Sequence, residues 1–281
     1  MFGYNSDMES EKVSSAVNQQ VTLYSRRSLG YYYSGFAIGE ISCSIIRAGI
    51  KSGRCYYRPD FTLTNNDKKL LELFNEVFGN KTGVISKVKG AFNISFRGIR
   101  KVSNILRFFD SYPVIAGDIA RTKLSILEEA TSLLKKRGNS RVRYTASEVD
   151  SLESLIKRLV ELKRKGVGII EFCPRKFPKS DVGCFLAGLV DSEGSFGFKG
   201  KRSQPFFALA MKDDKPVFLL KDFLGFGNVR RRLDGLYHFE VSKKDHFISA
   251  LNTFTNIFPL RHEKKSTYIR GLLNDYTRES R

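Results

Sequence analysis

The sequence predicts an α+β protein of two pseudo-symmetric αββαββα repeats, with antiparallel sheets covered by helices on one face. The first observation is ordered internal repetition. Pro59, Phe61, Leu63 and Asp67 recur 146 residues later as Pro205, Phe207, Leu209 and Asp213, and the same offset joins Lys69 to Lys215, Gly79 to Gly225 and Pro113 to Pro259. Upstream, YSGFAIGEIS (33–42) matches LAGLVDSEGS (186–195), pairing Gly35, Glu40 and Ser42 with Gly188, Glu193 and Ser195 at an offset of 153. The offset falls from 153 to 146, so repeat two loses seven residues between the glutamate and the proline. The second observation is alternation: Phe92, Ile94 and Phe96 interleave with Asn93, Ser95 and Arg97, and Tyr237, Phe239 and Val241 with His238, Glu240 and Ser242. A period of two means one buried face and one wet face. The third is the order of the segments, helix then strands then helices, in each half.

Taken along the chain, residues 1–27 read as a flexible tail with no secretory or transit signature. Repeat one occupies 28–137: a helix at 28–40, strands near 41–49 and 56–65, a helix at 67–78, a hairpin turning at Lys89-Gly90, and helices at 101–111 and 118–135. Residues 138–179 read as a linker carrying one helix, TASEVDSLESLIKRLVELKRKG, which Thr145 or Ser147 can cap. Repeat two, 180–281, follows the same plan: a helix at 180–193 capped by Ser180 or Asp181, strands near 195–202 and 205–212, a helix at 214–224, an Asp234-Gly235 hairpin, and helices at 245–257 and 264–277.

Charge narrows the partners. Lys and Arg number 48 against 29 Asp and Glu, a net +19, which points to a polyanion. No stretch reaches the roughly 18 apolar residues of a membrane span. Cys43, Cys55, Cys173 and Cys184 form no C-x-x-C pair and do not cluster with histidine, which argues against zinc and for reduced thiols.

Chemistry concentrates in the two helices that open the repeats. Small residues recur four apart, Gly35 with Gly39 and Gly188 with Ser192, so two such helices can pack closely and bring Glu40 and Glu193 together at one end. Acids at a helix C-terminus oppose its dipole, which makes two matching copies notable. Paired carboxylates repel unless a cation joins them, and oxygen donors suit Mg²⁺, which activates water in phosphodiester cleavage. Asp191 faces elsewhere on its helix and reads as structural.

The segment FLAGLVDSEGSF (185–196) resembles the LAGLIDADG signature in a variant ending E-G-S-F, and YSGFAIGEISC (33–43) resembles a degraded copy. With the repeats, the likeness to single-chain LAGLIDADG homing endonucleases spans about residues 28 to 281. It implies two four-stranded antiparallel sheets forming a DNA-binding saddle, a monomer that cleaves a long asymmetric duplex target with a divalent metal, Mg²⁺, held by Glu40 and Glu193, and no membrane partner. It also implies an assisting basic residue near the end of the last strand, where Lys243 and Lys244 stand, and an intron-encoded protein of a mitochondrion or chloroplast. Repeat one departs from the pattern. Ile38 replaces Asp191 and Ile41 replaces Gly194, so the first helix is expected to end differently from the second, with Gly194 left-handed. That leaves room for a strand-nicking or inactive enzyme.

For DNA contact the wet face offers Arg47, Lys51, Arg54, Tyr56, Arg58, Thr62, Thr64, Lys87, Asn93, Ser95 and Arg97 in repeat one. Repeat two offers Lys199, Lys201, Arg202, Arg230, Arg232, His238, Glu240 and Lys244, with the strand of Arg230 and Arg232 too irregular to fix their facing. Arg pairs with guanine, Asn with adenine and Glu with cytosine. Two alternatives stay open: an intron RNA maturase of the same fold, and a catalytically degenerate DNA-binding protein.

Overall fold

A computed structural model describes residues 25–49, 55–137, 144–165, 176–200 and 204–278. Repeat one runs α1 (Arg26–Glu40), β1 (Ile41–Gly49), β2 (Cys55–Asn65), α2 (Lys68–Val77), β3 (Val84–Val88), β4 (Ala91–Arg97), α3 (Ile99–Ser111) and α4 (Asp118–Arg137). A connecting helix α5 (Ala146–Lys165) follows. Repeat two runs α6 (Lys179–Glu193), β5 (Gly194–Lys199), β6 (Gln204–Met211), α7 (Asp214–Leu224), β7 (Asn228–Arg231), β8 (Tyr237–Val241), α8 (Lys244–Asn252), a π turn (Thr253–Ile257) and α9 (Glu263–Arg278). The two sheets share one order, β1-β2-β4-β3 and β5-β6-β8-β7, antiparallel throughout. No helix among the described residues is long and apolar enough to cross a membrane.

The strands obey the period of two. In the first sheet Ile41 and Cys43 stand opposite Leu63 and Phe61, and Phe61 opposite Phe96, forming the helix-covered face. In the second, Phe196 pairs with Phe207 and Leu209 with Phe239. Matching aromatic pairs seal each sheet to its closing helices: Phe61 to Phe109 at 5.8 Å and Phe207 to Phe254 at 5.7 Å between ring centres.

Helices α1 and α6 form the centre. From Leu29 to Ile38 every residue of α1 is buried, as is nearly every residue from Asp181 to Asp191 of α6. A helix that is apolar on all sides belongs inside a larger core. The two backbones touch: a Cβ on Gly35 would fall on the Phe185 carbonyl, and one on Gly188 would fall on the Tyr32 carbonyl.

Several local expectations are corrected. Helix α6 begins after Pro178, earlier than either Ser180 or Asp181 could cap it, and Asp181 instead accepts from Arg27 of α1 at 3.0 and 2.6 Å. Gly194 is extended (φ −76, ψ 145) and so is Ile41 (φ −74, ψ 128), so both helices end the same way and a β-branched residue fits. Helix α5 is more than a connector: Leu152, Leu155 and Leu159 are buried in the shared core. Thr145 caps it in a reciprocal box, its hydroxyl accepting from the Glu148 amide at 3.2 Å while Glu148 accepts from the Thr145 amide at 2.8 Å.

Because Gly188 has no room for a side chain, Gly188→Ala is expected to destabilise the protein by about 1–3 kcal/mol, the range of core overpacking. Gly271→Ala, in α9 where a Cβ meets nothing, is expected to stabilise it by up to about 1 kcal/mol. Urea unfolding of both variants checks this; a Gly188→Ala protein as stable as the parent would mean that the helices do not touch.

Candidate active site and nucleic-acid face

Glu40 and Glu193 close their helices side by side, where both sheets begin. Glu193 reaches across the interface, its Oε1 lying where a Cβ on Gly39 would be. Asn65, at the end of β2, donates from Nδ2 to Glu40 Oε1 at 2.6 Å and accepts the Asp67 amide on Oδ1 at 2.8 Å. Its counterpart at the 146 offset is Met211, which has no such donor. Burial raises the Glu40 carboxyl to about 7; the Asn65 hydrogen bond opposes that rise, and repulsion from Glu193 adds to it. Burial raises Glu193 as well, opposed by the Lys265 ammonium.

Lys265 is the cation that reaches both acids. Its Nζ donates to the carbonyls of Val190, Asp191 and Gly194 at 2.9, 2.7 and 2.8 Å, closing the C-terminus of α6. Burial lowers its pKa, while Asp191, Glu193 and Glu40 raise it. Lys123 of α4 does the same for repeat one, donating to the Ile41 carbonyl at 3.1 Å. Sequence reasoning missed both lysines. Their offset is 142, outside the strand register: Lys123 is the sixth residue of α4 and Lys265 the third of α9, and the segment before α9 is one residue shorter. Of the basic residues singled out near the last strand, Lys243 precedes the first turn of α8, just past β8, and the Lys244 ammonium sits 5.1 Å from the Tyr276 ring centre. Asp191 is buried and turned from the open face; its Oδ2 accepts from the Tyr32 hydroxyl at 2.6 Å and the Arg261 and His262 amides at 2.6 and 3.1 Å. Between Glu40 and α9 lies a cavity of about 710 Å³ bordered by Glu40, Asn65, Ser195, His262 and Lys265.

The open faces adjoin this site. On the first sheet Tyr56, Arg58, Thr62, Thr64, Asn93, Ser95 and Arg97 share the side away from the helices. Asp60 binds Arg58 at 2.8 and 3.0 Å and lies 3.8 Å from Arg97. Thr64 donates to Asn93 Oδ1 at 2.8 Å, which leaves the Asn93 amide group free to donate outward. Ser95 is only 6 % exposed, beneath its Thr62 partner at 3.3 Å.

Two candidates change sides. Arg47 stands opposite Tyr57 on the helix-covered face, where both meet Glu153 of α5, at 3.3 and 2.7 Å; Ile46 holds the open position. Lys87 pairs with Phe92, because Ile85 packs opposite Ile94, and the open positions of β3 are Val84, Ser86 and Val88. On the second sheet Lys199, Arg230, His238 and Glu240 gather on the open face, Glu240 bonded to Lys199 and 3.9 Å from both Arg230 and His238. The Lys199 hydrogen bond holds the Glu240 carboxyl below the usual range, and burial lowers His238. Arg232 lies just past β7 and pairs with Asp234 at 2.9 Å. Lys51, Arg54, Lys201 and Arg202 lie outside the described residues.

This architecture has close counterparts among solved structures. The LAGLIDADG homing endonuclease I-GzeII in complex with its DNA target aligns at a TM-score of 0.71 and 18 % identity, over 89 % of this chain and 91 % of that one. I-LtrWI bound to target DNA aligns at 0.73 and 18 %, over 90 % and 92 %. The meganuclease I-AabMI bound to uncleaved DNA aligns at 0.70 and 19 %, over 89 % and 92 %. The chain has the LAGLIDADG homing endonuclease fold. Neither a protein-family model nor a curated protein matches the sequence. Within the LAGLIDADG fold, the paired acids occupy the ends of the two central helices.

Asn65→Ala is expected to raise the Glu40 pKa further above 7 and leave Glu193 near its present value, since only Glu40 receives that hydrogen bond. Lys265→Met should raise both, because its charge favours both carboxylates. Side-chain carboxyl NMR titration of the metal-free protein separates the two; equal shifts from Asn65→Ala at both acids would contradict this assignment of partners.

Proposed function

We propose that the protein is a site-specific endonuclease of double-stranded DNA, cleaving a long asymmetric target by metal-dependent phosphodiester hydrolysis. The observation that carries this reading is the convergence of Glu40 and Glu193 on touching helix ends, where two polar sheet faces begin. The DNA-bound state of the fold's neighbours supports the choice of ligand.

The donor set fits a hard divalent cation such as Mg²⁺. It offers two carboxylates, and Mg²⁺ takes one or two, retaining waters. Both acids are disfavoured as anions by burial, a cost that a cation offsets. Glu40 and Glu193 would hold it, and when bound it supplies water activation and charge stabilisation for the leaving oxygen. The chain's own part is positional. Asn65 fixes the Glu40 carboxylate, Gly39 admits the Glu193 carboxylate across the helix pair, and Lys265 ties the end of α6 in place. On the open faces, Arg58, Arg97, Lys199 and Arg230 would neutralise phosphates or read guanine, and Asn93 would present donors to a base edge. Both halves lie in one chain, so the protein would act as a monomer.

Glu193→Gln keeps size and loses charge, so cleavage in Mg²⁺ should disappear while duplex binding persists. The test is incubation with a target library in Mg²⁺ or EDTA. Undiminished cutting by Glu193→Gln would remove that residue from the chemistry.

The two acids are held unequally, Glu40 by Asn65 and Glu193 with no equivalent donor among the described residues. Unequal cleavage of the two strands is therefore expected, since about 1 Å of misplacement can cost about a hundredfold in rate. End-labelled duplex should show a nicked intermediate that changes when Asn65 becomes Ala. Equal strand rates in both proteins would mean that Asn65 plays no positional part.

A further inference from the structure

On the side of the first sheet away from its open face, α3 presents a basic stripe. Val102, Ile105, Leu106 and Phe109 face inward and are buried. The outward row, Arg100, Ser103, Asn104 and Arg107, follows the i, i+3, i+4, i+7 spacing of one helix face. With Asn80, Ile99 and Lys135 it lines an open groove of about 900 Å³. Arg26 borders the adjoining hollow with Asn80, Asn104 and Arg107. Among the described residues no acid lines either.

Most arginines in the described residues hold a carboxylate, as Arg27, Arg47, Arg58, Arg121, Arg137 and Arg158 do. Arg26, Arg100, Arg107 and Lys135 form no ion pair among the described residues; Arg100, Arg107 and Lys135 converge on the groove, and Arg26 on the hollow beside it. Arg107 is steadied by a hydrogen bond to Asn104, which orients its guanidinium without neutralising it.

We infer that this groove is a second phosphate-backbone site, which takes a separate segment of duplex DNA while the sheets hold the first; the identity of the first site rests on the proposed function above. The lining selects a duplex. Its described residues include no aromatic side chain on which the bases of a single strand could stack, whereas a duplex needs only its phosphates matched. Arg, Asn and Ser are phosphate-binding side chains, and a stripe of them without a recess for base edges reads no sequence. A stiff duplex seated on the sheets cannot bend round to the opposite side within a site of two turns, given a persistence length of about 150 base pairs. The occupant is therefore a second segment, and a monomer with two such sites can pass directly from one duplex to another.

The test uses the full chain with two generic 30-base-pair duplexes, one carrying a donor fluorophore and one an acceptor. Excess duplex should give energy transfer from a complex that sediments as one protein with two duplexes. R100Q/R107Q, both exposed changes, should weaken bridging about tenfold or more and leave the first binding event within about twofold. The salt slope of the second event should become shallower by about 1.8, at about 0.9 per phosphate contact. R58Q/R230Q, on the open faces, should weaken the first event; if it does not, the sheet reading fails while the groove is judged on bridging alone. Absence of bridging by the parent protein overturns the inference. So does equal bridging by R100Q/R107Q, a proportional loss of both events, or tighter second-site binding of single-stranded RNA or DNA than of duplex.

Discussion

The backbone contact between α1 and α6 is the constraint from which the rest of the molecule follows. It exists because Gly35 and Gly188 present no side chain where the Phe185 and Tyr32 carbonyls approach. Two helices this close share one axis of pseudo-symmetry, so whatever ends one helix lies beside whatever ends the other. Glu40 and Glu193 inherit their proximity from that geometry, and the sheets inherit theirs because β1 and β5 start at the next residue. Closeness has an electrostatic cost. Both carboxyls are raised by burial, and Lys265 offsets part of this while satisfying three helix-end carbonyls.

A second pair of contacts locks the halves in the same symmetry. Asp67 caps α2 through the Lys69 amide at 3.0 Å and also accepts the Glu263 amide of α9 at 2.9 Å. Asp213 caps α7 through the Lys215 amide at 3.3 Å and accepts the Ile119 amide of α4 at 2.9 Å. Each aspartate therefore caps one helix of its own repeat and one of the other, using both carboxylate oxygens. Salt links between Lys69 and Glu263 at 2.9 Å and between Lys215 and Asp118 at 2.6 Å accompany them. The repeated Asp and Lys at offset 146 record this exchange.

What the sequence reveals follows from what each feature depends on. Strand facing depends on local alternation, so Phe92, Ile94 and Phe96 placed β4 correctly. Arg47 breaks the same rule, because a charge near a strand end can turn inward when another element supplies an acid, and Glu153 lies more than a hundred residues away in sequence. The paired acids were legible because two helices of matching pattern must pack alike. Asn65 and Lys265 were not, since their roles arise only when a strand end and a distant helix meet those acids. The helix ending at Ile41 was misjudged by assuming that Gly194 needs a left-handed backbone. The chain instead turns directly into an extended strand, which any residue can do.

The two open faces differ far more than the cores beneath them, and the fold explains why. Residues on the helix side must fill one shape twice, so Phe61 is matched by Phe207 and Leu63 by Leu209. Residues on the open side pair with one another, as Thr64 does with Asn93 and Glu240 with Lys199, and fill no shape set by the core. There the first sheet sets neutral Thr62, Thr64, Asn93 and Ser95 near the acids, whereas the second sets His238 and Glu240 with Arg230 and Lys199 around them. Because both repeats share one chain, each face can change without altering its twin. In a symmetric dimer every substitution would appear on both sides. Sharing one chain therefore leaves the open faces free of the symmetry that the core still obeys, and a ligand lying across both would meet two different surfaces.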